Sequence, residues 1–418
     1  MSSKGAGTVM GEQDQQGGLV PKLRFPEFSG AWHPTELTPH LKEHSERVPS
    51  TTSIPIYSST RSGLKPQNEY FDGANLANDG EYRIVPKGYF TFRHMSDDGT
   101  FKFNVNNTSS AVAVSKEYPV FTAIGLSTGF LLYILNNSAD FSRFALMQKK
   151  GGTRTRLYLS TLRTWTPLLP SFGEQQKIAD CLSSIDTLIA AEADKLEALK
   201  DHKKGLMQQL FPAPGETSPR LRFPEFQGGP DWEERPLGEI ASYQNGKAYE
   251  PHIVEEGRYI VVNARFISTE GGVKKWSNNP LLIAEPDDIL MVLSDLPNGR
   301  ALAKCYRVRE GNKYAVNQRV ARLTPHAVRS DFLFAVLNRH PYLLGFNDGL
   351  NQTHLSKDNV LTCPILLPVH EEEQMAIADC LTSVDGLIAA QVDRLNALNA
   401  HKQGLMQQLF PVADQVQA

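Results

Sequence analysis

Hydrophobic residues recur at alternating spacings of three and four in two long segments, which end near residues 212 and 411. This heptad spacing is typical of helices that pack along a narrow apolar seam. Pro170 and Pro212 bound the first predicted helix, and Pro368 and Pro411 bound the second. The apolar seam positions are Leu182, Ile185, Ile189, Leu196, Leu199, Leu206 and Leu210, then Leu381, Val384, Ile388, Leu395, Leu398, Leu405 and Leu409.

These two segments are copies of one another. Residues 174–212 and 373–411 align with 27 identities in 39 positions. LRFPEF occurs at 23–28 and again at 221–226, followed by Trp32 and Trp232, and LLP occurs at 168–170 and 366–368. The blocks between these motifs share no obvious identity. The order therefore indicates a duplicated domain in which the helix was kept and the rest diverged.

Four seam positions are polar, namely Glu192, Lys203, Gln391 and Lys402. An antiparallel pairing that places Glu192 opposite Lys402 and Lys203 opposite Gln391 matches every other seam residue with an apolar partner, and such polar layers can set register. The alternative is that each helix packs only on its own domain. Polar residues expected on the outer face are also kept in both copies, which suggests a second partner that contacts both alike: Asp180, Asp186, Asp194 and His202.

The blocks at about 30–165 and 230–365 mix short β-type runs with Asn, Gly and Asp turns, and each contains one helix-like run. The predicted fold class is therefore α+β, with two globular domains separated by two long helices that form a pseudo-twofold antiparallel coiled coil. The predicted segments are a lead-in at 1–20, a domain at 21–170, a helix at 171–215, a domain at 216–368, a helix at 369–411 and a tail at 412–418.

A net charge of −3 argues against a protein that coats nucleic acid without specificity. Two segments are nevertheless strongly basic. Residues 141–170 carry six Arg or Lys and no acid, and residues 296–325 carry seven against one Glu. The four cysteines form no CxxC pair, the N-terminus lacks an apolar signal region, and no apolar run reaches about 18 residues. These features predict a cytoplasmic protein without a membrane span.

Each block ends in a polar, glycine-containing stretch, QKKGGTRTRLYLS in the first and GLNQTHLSKDN in the second. Arg can contact guanine through two hydrogen bonds, and Asn or Gln can contact adenine in the same way. The alternatives are a solvated basic loop at 149–156 and a network that pins neighbouring strands at 317–319. The candidate DNA-binding residues are Tyr57, Arg61, Lys149, Lys150, Arg154, Arg156, Lys274, Lys275, Asn317, Gln318 and Arg319.

Motifs that would carry catalysis are absent from the sequence. An adenine methyltransferase would need an Asn/Asp-Pro-Pro-aromatic motif, but the Asn-Asn-Pro at 278–280 is followed by Leu281. A nucleotide-driven motor would need GxxxxGK[ST], and the Gly246-Lys247 pair lacks its other residues. His202 and His401 have no second ligand one helical turn away. We therefore predict no catalytic residue and no metal site.

The stretches PKLRFPEFSGAW, LLPSFGEQQKIADCL and KKGLMQQLFP, each with its second copy, resemble the DNA specificity subunit of type I restriction-modification enzymes. One departure is an extra residue between LLP and Glu-Gln in the second copy. The resemblance implies target recognition domains that each contact half of a bipartite, asymmetric site on double-stranded DNA, with the helices as spacer.

The same resemblance implies two modification subunits, which carry S-adenosylmethionine and adenine methylation, and motor-nuclease restriction subunits, which use ATP and Mg²⁺. This chain itself would then hold no cofactor and perform no catalysis. An alternative of a different functional class is a coiled-coil scaffold that binds proteins and makes no contact with DNA.

Overall fold

The structure is a computed structural model that describes residues 20–70, 80–149, 154–296 and 299–411. The chain divides into two compact units. Unit 1 comprises Met1–Ala193 and Arg394–Ala418, and unit 2 comprises Asp194–Asp393. Both long helices cross this division, so each unit contains part of each helix.

Unit 1 contains short strands, short helices and the first part of a 39-residue helix. Its strands are β1 His33–Pro34, β2 Leu41–Glu43, β3 Arg47–Pro49, β4 Tyr57–Thr60, β5 Gly63–Pro66, β6 Glu81–Val85, β7 Phe90–Phe92, β8 Met95–Ser96, β9 Phe103–Val105, β10 Val112–Ser115, β11 Val120–Ala123, β12 Thr155–Arg156 and β13 Leu168–Leu169. Its helices are α1 Gln67–Tyr70, α2 Thr128–Asn137, α3 Ala139–Met147, α4 Leu159–Arg163 and α5 Phe172–Leu210.

Unit 2 has a closely similar order of elements. Its strands are β14 Glu233–Pro236, β15 Ala241–Asn245, β16 Ile253–Val254, β17 Tyr259–Val262, β18 Trp276–Ser277, β19 Ile283–Ala284, β20 Ile289–Val292, β21 Ser294–Asp295, β22 Cys305–Arg307, β23 Tyr314–Val316, β24 Val320–Pro325, β25 Thr353–His354 and β26 Pro364–Leu367. Its helices are α6 Leu237–Ile240, α7 Ala264–Ser268, α8 Ser330–Leu337, α9 Pro341–Leu344, α10 Lys357–Leu361 and α11 Glu371–Leu409, with 3-10 turns at Pro224–Phe226 and Glu250–His252.

Both units are built on the same four-stranded antiparallel sheet. Its order is β2-β11-β7-β9 in unit 1 and β15-β24-β20-β22 in unit 2. A second sheet differs: unit 1 has β10-β6-β3 and the β4-β5 hairpin, whereas unit 2 has five strands in the order β16-β18-β17-β23-β19. The two blocks without sequence identity therefore share one frame and differ in the part attached to it, which confirms the α+β prediction.

The first repeated motif is held to the start of the long helix by a buried ion pair. In unit 1, Arg24 donates through Nε and Nη2 to Glu174, at 2.8 and 2.7 Å. In unit 2, Arg222 donates to Glu373 in the same way, at 2.8 and 2.6 Å. Both carboxylates are 1% exposed. The arginine of LRFPEF and the glutamate that follows LLP therefore occur in both copies because each buried charge requires the other as its counter-charge.

The glutamine next to each of these glutamates caps a helix of the variable block. The side-chain oxygen of Gln175 accepts from the Ser127 amide, at the N-terminal end of α2, and its Nε2 donates to the Pro170 carbonyl. Gln374 makes the equivalent bonds with the Arg329 amide and the Pro368 carbonyl. These bonds use backbone groups that a helix end leaves unpaired.

The long helices pair antiparallel, as predicted. Lys402 contacts Asp186 and Arg394 contacts Glu192 in unit 1, and Lys203 contacts Asp385 in unit 2. All eighteen seam positions named above, the four polar ones included, are buried or half-buried. The predicted partners Glu192–Lys402 and Lys203–Gln391 are wrong, since the observed partners lie about two helical turns away. Asp186 is also not free on the outer face, because it accepts from Lys402 and from the Tyr133 hydroxyl.

The error in register has a simple physical cause. A heptad pattern matches apolar residues equally well after a shift of one heptad, so the apolar seam alone does not distinguish the two alignments. The observed alignment instead satisfies Asp186 and Asp385, which are repeat-equivalent and flank the seam. Each forms its bond with the repeat-equivalent lysine, Lys402 or Lys203.

Two local predictions change with the structure. The β-branched run RYIVVNARFI predicts one strand, but Asn263 caps a short helix by accepting from the Phe266 amide, so the strand ends at Val262. In addition, α11 has the length and composition of a helix that could cross a membrane. That helix carries the seam and contributes Asp385, Arg394 and Lys402 to ion pairs, so we assign it to the helix pair.

Candidate nucleic-acid interface

In each unit, a separate pair of two-residue antiparallel strands begins just after a strand of the shared sheet, β7 in unit 1 and β20 in unit 2. In unit 1, β8 pairs with β12, and the Leu157 amide donates to the His94 carbonyl at 2.9 Å. In unit 2, β21 pairs with β25, and the Leu355 amide donates to the Leu293 carbonyl at 2.8 Å. The polar loops predicted from sequence therefore end in equivalent pairs of strands, which we call the frame hairpins.

Two arginines beside the unit 1 frame hairpin bind consecutive aspartates, namely Arg154 just before β12 and Arg61 in the turn between β4 and β5. Nε of Arg154 lies 2.8 Å from Oδ1 of Asp97, and Nη2 of Arg61 lies 2.5 Å from Oδ2 of Asp98. The arginines are 53% and 73% exposed. Both guanidinium groups are thus oriented by a carboxylate while most of each side chain faces solvent.

Asp98 is itself firmly held. Its Oδ1 accepts from the Thr100 hydroxyl at 2.7 Å, the Thr100 amide at 3.0 Å and the Ser96 hydroxyl at 2.8 Å. These bonds, together with that from Arg61, hold the pKa of Asp98 well below its usual range. The carboxylate therefore stays ionised at neutral pH and fixes the position of Arg61.

An open cleft of about 430 Å³ lies beside these residues. Its walls include the cations Arg61, Arg93 and Lys102 and the acid Asp97. Asn104 anchors one wall, because its side-chain nitrogen donates to the Ser59 hydroxyl at 2.8 Å and to the Thr60 carbonyl at 3.0 Å. The cleft is polar and cationic, as a surface that binds a phosphate backbone or base edges requires.

The remaining unit 1 candidates separate into two groups. Tyr57 is half-buried and packs against a small core that includes Val85 and Val112, which indicates a structural role. Arg156 lies in β12 of the frame hairpin, Lys149 lies just after α3, and both are exposed. Lys150 lies outside the described residues.

In unit 2 the structure brings four of the five candidates to one cleft of about 390 Å³, lined among others by Lys275, Asn317, Gln318 and Arg319. Lys275, Gln318 and Arg319 are exposed, as is Lys274 in the turn before β18.

Asn317 differs from these neighbours because it is only 6% exposed. Its amide donates to the Val262 carbonyl, and its side-chain nitrogen donates to Glu250 at 3.4 Å. The alternative of a strand-pinning network therefore describes Asn317 better than base contact does.

The sequence reasoning missed three groups that the structure places at the frame hairpins, namely Asp97, Asp98 and Gln352. Nε2 of Gln352 donates to the Ser294 hydroxyl at 3.0 Å. The two aspartates belong to a turn, MSDDGT, whose composition predicts only a loop. Gln352 lies in the polar loop quoted from sequence, but nothing in the local pattern distinguished it from its neighbours.

Fold and site together define a class: a duplicated α+β domain on an antiparallel helix pair, with a polar frame hairpin in each copy. The family model described as type I restriction modification DNA specificity domain matches residues 55–201 and 230–400. The chain belongs to this family.

Curated relatives come from Methanocaldococcus jannaschii. The chain is 28% identical over 262 residues to the type I restriction enzyme MjaVIII specificity subunit, covering 58% of this chain and 60% of that protein. It is 25% identical over 289 residues to the putative type I restriction enzyme MjaX specificity subunit, covering 67% of each.

Solved structures share the fold. The chain is similar to the S subunit of a type I restriction-modification system from M. genitalium, with a TM-score of 0.60, 16% identity, and coverage of 94% of this chain and 100% of that one. A chain from a structure of the type I R-M system gives a TM-score of 0.54 at 15% identity, covering 91% and 97%. At these identities the likeness concerns the fold alone.

Proposed function

We propose that this chain is the DNA-recognition subunit of a type I restriction-modification enzyme, in which each unit contacts one half of a bipartite, asymmetric site. The observation that carries the proposal is the repeated frame hairpin, with Arg61 and Arg154 exposed at one copy and Gln352 at the other. Exposed cationic and amide side chains on a rigid strand pair are suited to phosphate and base-edge contacts.

In this proposal two modification subunits dock on the repeated helices, and restriction subunits complete the enzyme. Methyl transfer to adenine, ATP-dependent cleavage, and binding of S-adenosylmethionine, ATP and Mg²⁺ belong to those partners. This chain contributes recognition without catalysis. The repeat supports two docking sites, because exposed polar residues such as Asp180, Asp194 and His202 recur in the second helix as Asp379, Asp393 and His401.

A gel-shift experiment tests the proposal. The full chain is mixed with its modification subunit and with a library of duplex DNA, and bound sequences are recovered. We expect enrichment of one motif with two separated half-sites. If the complex forms but selects no sequence, the chain is instead a scaffold for proteins, the alternative function that an extended helix pair also supports.

Exchange of one domain provides a second arm. Replacing residues 30–165 with the block of a related chain is expected to change one half-site and to leave the other intact. A change in both half-sites, or in neither, would contradict the assignment of one half-site to each unit.

A further inference from the structure

The two frame hairpins place different side chains at one equivalent position. Thr155 pairs with Ser96 in unit 1, and Thr353 pairs with Asp295 in unit 2. The residue immediately before the paired threonine is Arg154 in the first case and Gln352 in the second. Since both strand pairs follow equivalent strands of the shared sheet and have the same register and the same flanking backbone hydrogen bond, these side chains occupy equivalent positions.

The geometry in unit 1 suits recognition of guanine. Arg154 uses Nε for its bond to Asp97. Among the described residues, neither of its terminal nitrogens has a partner, and the side chain is 53% exposed. An arginine held at Nε presents its two terminal nitrogens as a planar fork. Guanine offers two acceptors, O6 and N7, at the matching separation in the major groove.

The geometry in unit 2 suits recognition of adenine instead. The position after the paired Asp295 is Leu296, which is 68% exposed and offers no carboxylate that could hold an arginine. Gln352 is held by a different bond, from its Nε2 to the Ser294 hydroxyl. An amide with one N–H used in this way retains one N–H and its oxygen, which match N7 and N6 of adenine.

We propose that Arg154 recognises a guanine in one half-site and Gln352 recognises an adenine in the other, each as the base-specific contact of its frame hairpin. This assignment rests on the proposed function and deepens it. Asp97 is then a positioning residue that acts through Arg154, and Ser294 has the same role for Gln352.

The experiment expresses the chain with its modification subunit in a methylation-free host, and sequences methylated adenines across the genome. The wild type is expected to give a bipartite motif with a required guanine in one half and a required adenine in the other. Arg154→Gln is expected to lower the preference for that guanine by about ten- to a hundredfold at one position of one half-site. Gln352→Arg is expected to lower the preference for adenine at one position of the other half-site.

Three further variants separate base contact from charge. Arg154→Lys keeps the charge and removes the fork, so it should relax the same position. Asp97→Asn should relax that position less strongly than Arg154→Gln does. Lys149→Gln, close in sequence, should lower methylation equally at all sites and leave the motif unchanged, as a phosphate contact would.

The outcomes are distinguishable. If Arg154→Gln lowers methylation uniformly with the motif intact, or if the position it affects is not a guanine, the inference fails while the proposed function stands. If the wild-type complex shows no bipartite motif, the proposed function fails with it. Thermal unfolding of each variant checks folding, and no change is expected because all four altered side chains are exposed.

Discussion

Removal of the buried Arg222 should destabilise unit 2 more than removal of an exposed charge near it. The Arg222 side chain is 8% exposed and that of Glu373 is 1% exposed, and the two are joined by two hydrogen bonds. Nη1 of Arg222 also donates to the Gly229 and Pro230 carbonyls, at 3.0 and 3.1 Å. Arg222→Met would leave the Glu373 carboxylate buried without its counter-charge.

The expected cost follows from that buried charge. Breaking a buried ion pair by removing one partner costs about 3–5 kcal/mol. For a unit of the size of Asp194–Asp393, this corresponds to a fall in Tm of roughly 6–20 °C. The double variant Arg222→Met with Glu373→Leu should recover most of the loss, because no unpaired charge remains, and should stay within about 1–2 kcal/mol of wild type.

The measurement is urea unfolding of the full chain followed by tryptophan fluorescence. Hydrogen–deuterium exchange would assign the loss to peptides of unit 2. Arg220→Met is the matched control, since Arg220 is 71% exposed and lies 3.9 Å from Glu216. This control should change stability by less than about 0.5 kcal/mol. If Arg222→Met costs no more than Arg220→Met, or if the double variant is as unstable as the single one, the reasoning from buried charge is refuted.

Acid stability, packing of the helix pair, DNA affinity and half-site spacing provide four further tests. Because the pKa of Asp98 is lowered, its ionised form stabilises unit 1 fully above about pH 4 and progressively less below it. Asp98→Asn should therefore lose less Tm than the wild type as the pH falls below about 4, and equal losses in the two proteins would contradict this. Tyr133→Phe removes a 2.6 Å hydrogen bond to Asp186 and should cost about 1 kcal/mol, whereas Tyr158→Phe, exposed at 52%, should cost almost nothing in the same urea titration. Charge reversal at Lys149, Lys150 and Arg154 together should weaken DNA binding and flatten its salt dependence; an unchanged salt slope would count against phosphate contacts by the two lysines. Insertion of one heptad within 183–205 should lengthen the gap between half-sites in the methylation motif before binding is lost, and an unchanged gap would contradict the spacer role.

The internal repeat is the feature that allowed the two long helices to be predicted from the sequence. The doubled heptads predicted the two long helices and their antiparallel pairing, because an apolar seam needs an apolar partner. The repeated LRFPEF and LLP motifs served to predict the domain boundaries. They did so without revealing that Arg24 and Arg222 bind Glu174 and Glu373, since these pairs are about 150 residues apart in the chain.

The register of the helix pair, the shared sheet and the residues of the candidate interface all depend on tertiary contacts. The heptad pattern repeats every seven residues, so it could not choose between Glu192–Lys402 and the observed Asp186–Lys402 contact. The common sheet is formed by different residues in the two units, such as LKE in β2 and ASYQN in β15, so no sequence identity revealed it. Arg154 and Gln352 are equivalent only because the two frame hairpins pair their strands in the same register. Local periodicity therefore specifies the two long helices, because it depends only on residues close in sequence, whereas packing between residues distant in sequence specifies which side chains meet.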